Sequence, residues 1–264
     1  MKNENLTVII PYYNNPNNQI KKAIESVIKQ KKIDIKILIL IIDDNSKKKI
    51  DLDKLNLLKY DKKKIKIKIF KKKKNQGDSS SRVTGVKISK SKYIAFLDAD
   101  DYWLNLKLYY QFSFLKTFKK RIIGTDWNSK SHFISFFTLN SDYYKINKIL
   151  MSLKWWPHLS TILMERNAFK SLKLYKSKRY RFAGDGDMLI KLASSNSFIV
   201  IKKNLVKCHS FKINPYISGM SAKMSKMKNG EIQVIKDNFK NKIFVFFISL
   251  WINFKYLFRL IKFN

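Results

Sequence analysis

The chain has 264 residues, 45% hydrophobic and 14% aromatic, which is enough apolar surface for a core and too much for a disordered chain. Its 55 Lys+Arg outweigh 19 Asp+Glu to give a formal net charge of +36, a surplus that draws nucleic acid, an anionic membrane or acidic ligands. One cysteine, Cys208, excludes a disulfide scaffold and a cysteine-based zinc module, and seven Gly and four Pro exclude collagen-like and linker chains.

Leu6–Ile10 is a short apolar run stopped by Pro11 and reads as a buried strand. Over Asn17–Gln30, Ile20, Ala23, Ile24, Val27 and Ile28 share one helical face. Ile35–Ile42 is almost wholly apolar and Ile-rich, as in a parallel strand covered on both sides. Ile65–Phe70 alternates Ile with Lys and reads as a half-exposed strand. Ser79–Ser89 suits a helix, Tyr93–Leu97 a buried strand, and Asn105–Lys119 a helix with Leu108, Phe112, Leu115 and Phe118 on one side. This alternation predicts an α/β fold with a mostly parallel sheet flanked by helices. Beyond residue 121 the pattern loosens: strands are expected at Ile134–Leu139 and Thr161–Met164, a helix at Asp185–Ser194, and a weakly helical basic stretch at Gly219–Phe239.

In open α/β sheets, ligands bind beyond the carboxyl ends of the strands. Asp43-Asp44 ends one predicted strand, Asp98-Ala99-Asp100-Asp101 ends another, and Asp185 and Asp187 open a later helix. A lone loop Asp is commonly a cap or turn former. Several carboxylates on one tight turn repel each other unless they share a cation, and hard oxygen ligands suit Mg²⁺ or Mn²⁺, which also take phosphate oxygens.

Five elements in order resemble glycosyltransferase family 2. Val8-Ile9-Ile10-Pro11-Tyr12-Tyr13-Asn14 is similar to V-I-I-P-x-Y-N, and Ala23–Gln30 to A-I-x-S-V-L-x-Q. Ile41-Ile42-Asp43-Asp44-Asn45-Ser46 is similar to I-V-D-D-G-S, Asn75–Val86 to N-x-G…A-R-N-x-G-I, and Tyr93–Trp103 to Y-I-A-F-L-D-S-D-D-x-W. The likeness covers roughly residues 5–220. It implies a GT-A fold in a domain over 1–220, with a nucleotide-sugar half (1–120) and an acceptor half (121–220); residues 221–264 are expected to form a helical membrane-associating appendage on their own composition.

By that resemblance Pro11, Tyr13 and Asp43 or Asp44 flank the nucleobase, with Asp44 favoured to accept the N3–H of uracil from a UDP-sugar. Arg82 is expected to hold Asp98 or the diphosphate, with Asp98 near the ribose. Asp100 is expected on a divalent cation, Mn²⁺ or Mg²⁺, and Asp101 is either a second ligand or a helix N-cap. Phe182–Leu192 resembles E-D-x-D-L-W-L-R-L, which makes Asp185 the base that deprotonates the acceptor hydroxyl. The family's Glu is Gly184 here, a departure from the pattern, and Asp187 reads as a cap or loop support. Trp156 and His158 fall in the acceptor-side segment, and Lys212 in a loop that reaches the donor phosphates. The implied reaction is one inverting displacement.

Ile243–Phe254 holds ten apolar residues in twelve, between Lys240, Lys242, Lys255, Arg259 and Lys262. It is too short to span a bilayer and reads as an interfacial anchor, with a buried helix or oligomer contact as the alternative. Met1–Asn5 has no signal-like core and no run of roughly 18 apolar residues occurs, so the expected site of action is cytoplasmic, peripheral on the inner face of the membrane. The acceptor is then a glycan, lipid-linked, in bacterial surface polysaccharide synthesis. Two other readings are a nucleotidyltransferase on a similar sheet and a basic nucleic-acid-binding protein. Pro11–Asn18 lacks the Gly-rich loop of the first. Against the second, only six of the 55 basic residues are Arg, the better reader of phosphate, and A/T-rich codons also favour Lys, Asn and Ile. No nucleic acid is expected as partner.

Overall fold

The computed structural model describes residues 5–57, 64–119, 121–128, 141–153, 157–195, 198–208 and 223–263. The alternating half folds as the apolar pattern requires. β1 (Asn5–Tyr12), β2 (Lys36–Asp43), β3 (Ile65–Lys71) and β4 (Tyr93–Phe96) are linked by α1 (Asn17–Ile28) and α2 (Asp78–Ile88). All their pairings, β3 with β2, β2 with β1 and β1 with β4, are parallel. The Lys-rich β3 takes the edge, where all its residues but Ile65 and Ile67 are exposed.

The second half is antiparallel at its joins. β5 (Tyr102–Trp103), α3 (Lys107–Phe118), β6 (Ile122–Trp127), β7 (Tyr143–Tyr144), α4 (Lys148–Ser152), β8 (Leu163–Glu165), α5 (Arg166–Ser171), α6 (Gly184–Ala193) and β9 (Phe198–Lys207) follow in order. Among the described residues the sheet has nine strands in the order β3-β2-β1-β4-β8-β6-β9-β5, with β7 also on β9. β8 runs antiparallel to both β4 and β6, while β6 and β9 are parallel. The expected strand at Thr161–Met164 begins two residues later, because Leu159–Thr161 forms a 3-10 turn. The expected strand at Ile134–Leu139 lies outside the described residues. β9 has no counterpart in the sequence reading: its Lys202-Lys203-Asn204 centre breaks the apolar run.

Alternation along β1 and β2 sorts the core into two layers. Val8, Ile10, Ile39 and Ile41 face α1 and α3 with Ile20, Ile24, Leu108 and Phe112. Ile9, Leu40 and Ile42 face the side holding Val83 of α2 and Met188 of α6. That second layer extends to α7 (Met224–Asn238) and α8 (Lys242–Phe263) through Val234, Ile235, Ile248, Ile252 and Tyr256. The C-terminal helix is therefore 22 residues long rather than the twelve the apolar run suggested. No helix among the described residues is long and apolar enough to cross a membrane.

Asp187 ties this layer together. It has no solvent exposure and accepts from Lys191 Nζ (2.5 Å), Asn238 Nδ2 (2.8 Å) and the Ser177 hydroxyl. α6, α7 and the 3-10 turn at Leu174–Arg179 thus meet at one carboxylate, the loop-support role read for it above. Removing one partner of a buried ion pair leaves the other charge uncompensated. Asp187→Ala should lower the unfolding free energy by about 3–5 kcal/mol, read by denaturant titration; a loss under about 1 kcal/mol would refute the assignment.

Candidate active site

Strand ends, tight turns and helix starts converge on one edge of the sheet. Asn14 and Asn45 adopt positive φ (53° and 66°) just past β1 and β2, a conformation Asn tolerates better than most residues. The two turns are laced together, with Asn14 N–H donating to Ser46 Oγ and Lys47 N–H to Asn14 Oδ1. Pro11 is buried and Tyr13 is 44% exposed beside them.

Asp43 and Asp44, the residues expected beside the nucleobase, are both engaged within the protein. Both are 1% exposed. Asp43 accepts from Ser46 N–H (2.7 Å) and caps its own turn. Asp44 accepts from Gln76 N–H (3.0 Å), Gly77 N–H (2.6 Å) and Lys72 Nζ (2.6 Å). A carboxylate has about four lone-pair sites, and these donors nearly fill them. Gly77 carries φ +88°, the left-handed region where a side chain is strained, and this turn aims α2 into the site.

Arg82 of α2 has no solvent exposure. Its NH1 donates to Asp185 Oδ1 (2.6 Å) and its NH2 to Asp98 Oδ1. Burial alone would lower its pKa, but Asp185, Asp98 and Asp78 raise it. It joins the turn after β4 to the first turn of α6, and Nε has no partner among the described residues. The expected contact with Asp98 is present, and the second, with Asp185, is an addition.

Asp185 keeps 40% of its side chain exposed. Oδ1 accepts from both Arg82 and Ser79 Oγ (2.8 Å), while Oδ2 has no donor among the described residues. Gly184, the departure from the family pattern, has a steric cause. A Cβ there would lie 2.2 Å from Ser79 Oγ and 2.7 Å from the Ser177 carbonyl oxygen. The hydroxyl that holds Asp185 occupies the space a side chain at 184 needs.

The acidic turn splits into interior and exterior members. Asp101 is 1% exposed, accepts from Ser160 Oγ (2.5 Å) and lies 3.2 Å from His158 Nδ1. It faces inward, and the N-cap of α3 is Leu106 rather than Asp101. Asp98 and Asp100 remain partly exposed, and Asp98 Oδ2 is 3.8 Å from His158 Nε2. Burial, then Asp98 and Asp101, push the Asp100 carboxyl up to about 6. No side chain among the described residues donates to it. An under-neutralised carboxylate cluster of hard oxygens fits Mg²⁺ or Mn²⁺ at Asp98 and Asp100. Asp101, His158 and Cys208 also lie within ligand distance of one another, but their O/N/S set suits a softer ion. Burial lowers the His158 pKa and its hydrogen bonds to Asp101 and Cys208 raise it, for a net rise well above the usual value.

A cavity of about 290 Å³ opens beside Asp185, with Ser79 and His158 in its wall and Met227, Val234 and Ile252 of α7 and α8 behind. His158 thus reaches the same space as Asp185. Trp156 and Lys212 lie outside the described residues. Sequence reasoning did not single out Asp78, Ser79 or Ser160. Asp78 is pushed up to about 7 by burial, with Arg82 opposing and Asp185, Asp98 and Asp44 adding. Ser79 stands three residues before Arg82, on the same helix face, which was a usable signal. Ser160 had none, because its partners are 59 and 62 residues away.

Comparison with known proteins bears on the family and the fold. The family model described as glycosyl transferase family 2 matches residues 7–175. An uncharacterized glycosyltransferase of Methanocaldococcus jannaschii is 28% identical over 245 residues, covering 90% of this chain and 80% of its own. The Escherichia coli UDP-Glc:alpha-D-GlcNAc-diphosphoundecaprenol beta-1,3-glucosyltransferase WfaP is 30% identical over 171 residues, 64% of each chain. The crystal structure of Staphylococcus aureus TarS 1–349 in complex with UDP-GlcNAc superposes with a TM-score of 0.64 at 15% identity, over 92% of this chain and 70% of that one. The chain spans 42% of a longer TarS structure and 32% of two rickettsial relatives. The fold is GT-A, and the chain belongs to glycosyl transferase family 2 and is a glycosyltransferase.

Proposed function

We propose that the protein transfers a sugar from a UDP-sugar to a hydroxyl of a lipid-linked glycan, with inversion, at the cytoplasmic face of the membrane. The observation that carries this reading is the Asp98–Arg82–Asp185 bridge, which leaves one oxygen of Asp185 open to a cavity. Support for the donor comes from TarS, bound to UDP-GlcNAc, and for the acceptor from WfaP, whose name specifies a diphosphoundecaprenol-linked sugar.

Asp185 Oδ2 receives the proton of the acceptor hydroxyl as that oxygen attacks the anomeric carbon. A carboxylate serves as base here because the hydroxyl becomes acidic only as the bond forms, and position matters more than intrinsic strength. Ser79 and Arg82 both hold Oδ1, so the carboxylate cannot rotate and Oδ2 keeps its aim. Arg82 also fixes Asp98 on the donor side, setting base and leaving group at a constant separation. Attack from the base side expels the diphosphate from the opposite face, so one displacement inverts the centre. A divalent cation held by Asp98 and Asp100 would supply charge neutralisation to the leaving diphosphate. Ser160 steadies that turn by donating to Asp101 and accepting from Asp98 N–H (3.0 Å).

Asp185→Asn should cut transfer by about 10²–10⁴-fold and leave UDP affinity unchanged in titration calorimetry; near-normal turnover would refute the base. Ser79→Ala should lower kcat about tenfold with the donor KM unchanged, since Oδ1 keeps Arg82 alone. A rise in KM at constant kcat would place Ser79 in donor binding instead. For Asp100→Ala, activity should be lost together with the response to added Mn²⁺ or Mg²⁺. Full activity of the unaltered enzyme in excess chelator would refute the cation.

A further inference from the structure

α8 has one side engaged with the core and one that packs against no other element among the described residues. Ile248, Ile252 and Tyr256, spaced four apart, are buried against the core, and Lys255 and Tyr256 both donate to Glu231 of α7. The opposite side runs from Ile243 through Phe247, Leu250, Phe254 and Phe258 to Ile261. At 100° per residue, nine large apolar side chains, each 46% to 70% exposed, fall within an arc of about 140°. The helix is about 33 Å long at 1.5 Å per residue. A contiguous stripe of this kind marks an interaction surface, unlike the single exposed apolar residues scattered over ordinary monomers.

We propose that this face docks the protein on an anionic phospholipid bilayer, with α8 lying flat at the headgroup–acyl boundary. Charge selects lipid over a second copy of the chain. Two copies would bring +36 against +36, whereas an anionic leaflet attracts that surplus. Residues 242–263 contain no Asp or Glu to oppose the leaflet, and Lys240 and Lys242 are exposed where the helix begins. The helix is not apolar enough to span, so an in-plane position is the one that buries its stripe.

The same helix bounds the catalytic cavity. Ile252, on the inner side of α8, lines the space that Asp185 faces. The docked surface and the cavity are therefore about one helix diameter, roughly 10 Å, apart. Docking holds the base close to headgroup level. Resting on the transfer reading above, this gives a lipid-linked hydroxyl access to Asp185 without leaving the membrane.

The test is flotation of the full chain with vesicles of phosphatidylglycerol and phosphatidylcholine, and with phosphatidylcholine alone. The unaltered protein should float with the anionic vesicles only. The combined variant Phe247→Ser, Phe254→Ser, Phe258→Ser should lose at least about tenfold in partitioning, with an unchanged far-UV spectrum and unchanged UDP release from the donor. Trp251, in the stripe, should shift its emission to the blue on binding, a signal lost in Trp251→Phe. Failure of the unaltered protein to float, equal flotation of the variant, or equal binding to neutral vesicles would overturn the proposal. So would a dimer in sedimentation velocity that the same substitutions dissolve, with no vesicle binding. Turnover of nucleotide-sugar by a protein that ignores vesicles would sink the docking surface and spare the transferase reading; vesicle binding without turnover of any nucleotide-sugar would do the reverse.

Discussion

A guanidinium with no solvent exposure must have its charge met from inside the protein, and Arg82 meets it with two carboxylates from distant parts of the chain. Asp98 comes from the turn after β4, and Asp185 from the start of α6, 103 residues beyond Arg82. Removing either carboxylate would leave a buried cation under-compensated, which is far costlier than losing a surface ion pair. The same contact that stabilises the packing of α2 against α6 therefore fixes the distance between Asp98 and Asp185.

A second set of buried contacts holds the acidic turn. Ser160 Oγ is shared by Asp98 N–H and Asp101, and the Ser160 carbonyl accepts from Trp103 Nε1 (2.8 Å). Trp103 is in turn capped by the buried Lys107 ammonium, 3.8 Å from its ring centroid, and Lys107 donates to Gln111. Burial pushes the Lys107 pKa well down. The inward-facing Asp101 is the cost of this rigidity: it is used for structure so that Asp98 and Asp100 can face outward. Asp44 is used likewise, gathering two backbone N–H groups and Lys72 so that α2 begins at the right place.

The few acids and the many lysines act at different ranges. Buried Asp side chains work through contacts under about 3 Å, where the local dielectric is low. The lysines are mostly solvated, and their summed field reaches outward over roughly a Debye length, 8–10 Å at ordinary salt. Such a field suits an anionic donor and an anionic leaflet, and it opposes self-association.

The first 120 residues were nearly transparent to sequence reading. Buried parallel strands must be continuous apolar runs, and Leu6–Ile10, Ile35–Ile42 and Tyr93–Leu97 each lie within about two residues of a real strand. Local order also determined which acids end the strands, because a turn cap is chosen by its immediate neighbours. The later strands escaped: β9 carries Lys202-Lys203-Asn204 in its middle, and its place in the sheet depends on pairing with β6, some 75 residues earlier. Only tertiary structure decided which of those acids are buried and which stay partly exposed. Asp44 and Asp101 look like Asp98 and Asp100 in sequence, yet their donors come from segments that only folding brings within hydrogen-bond range. Gly184 shows the same limit, since a missing Glu became intelligible once Ser79, over a hundred residues away, was seen to fill its space.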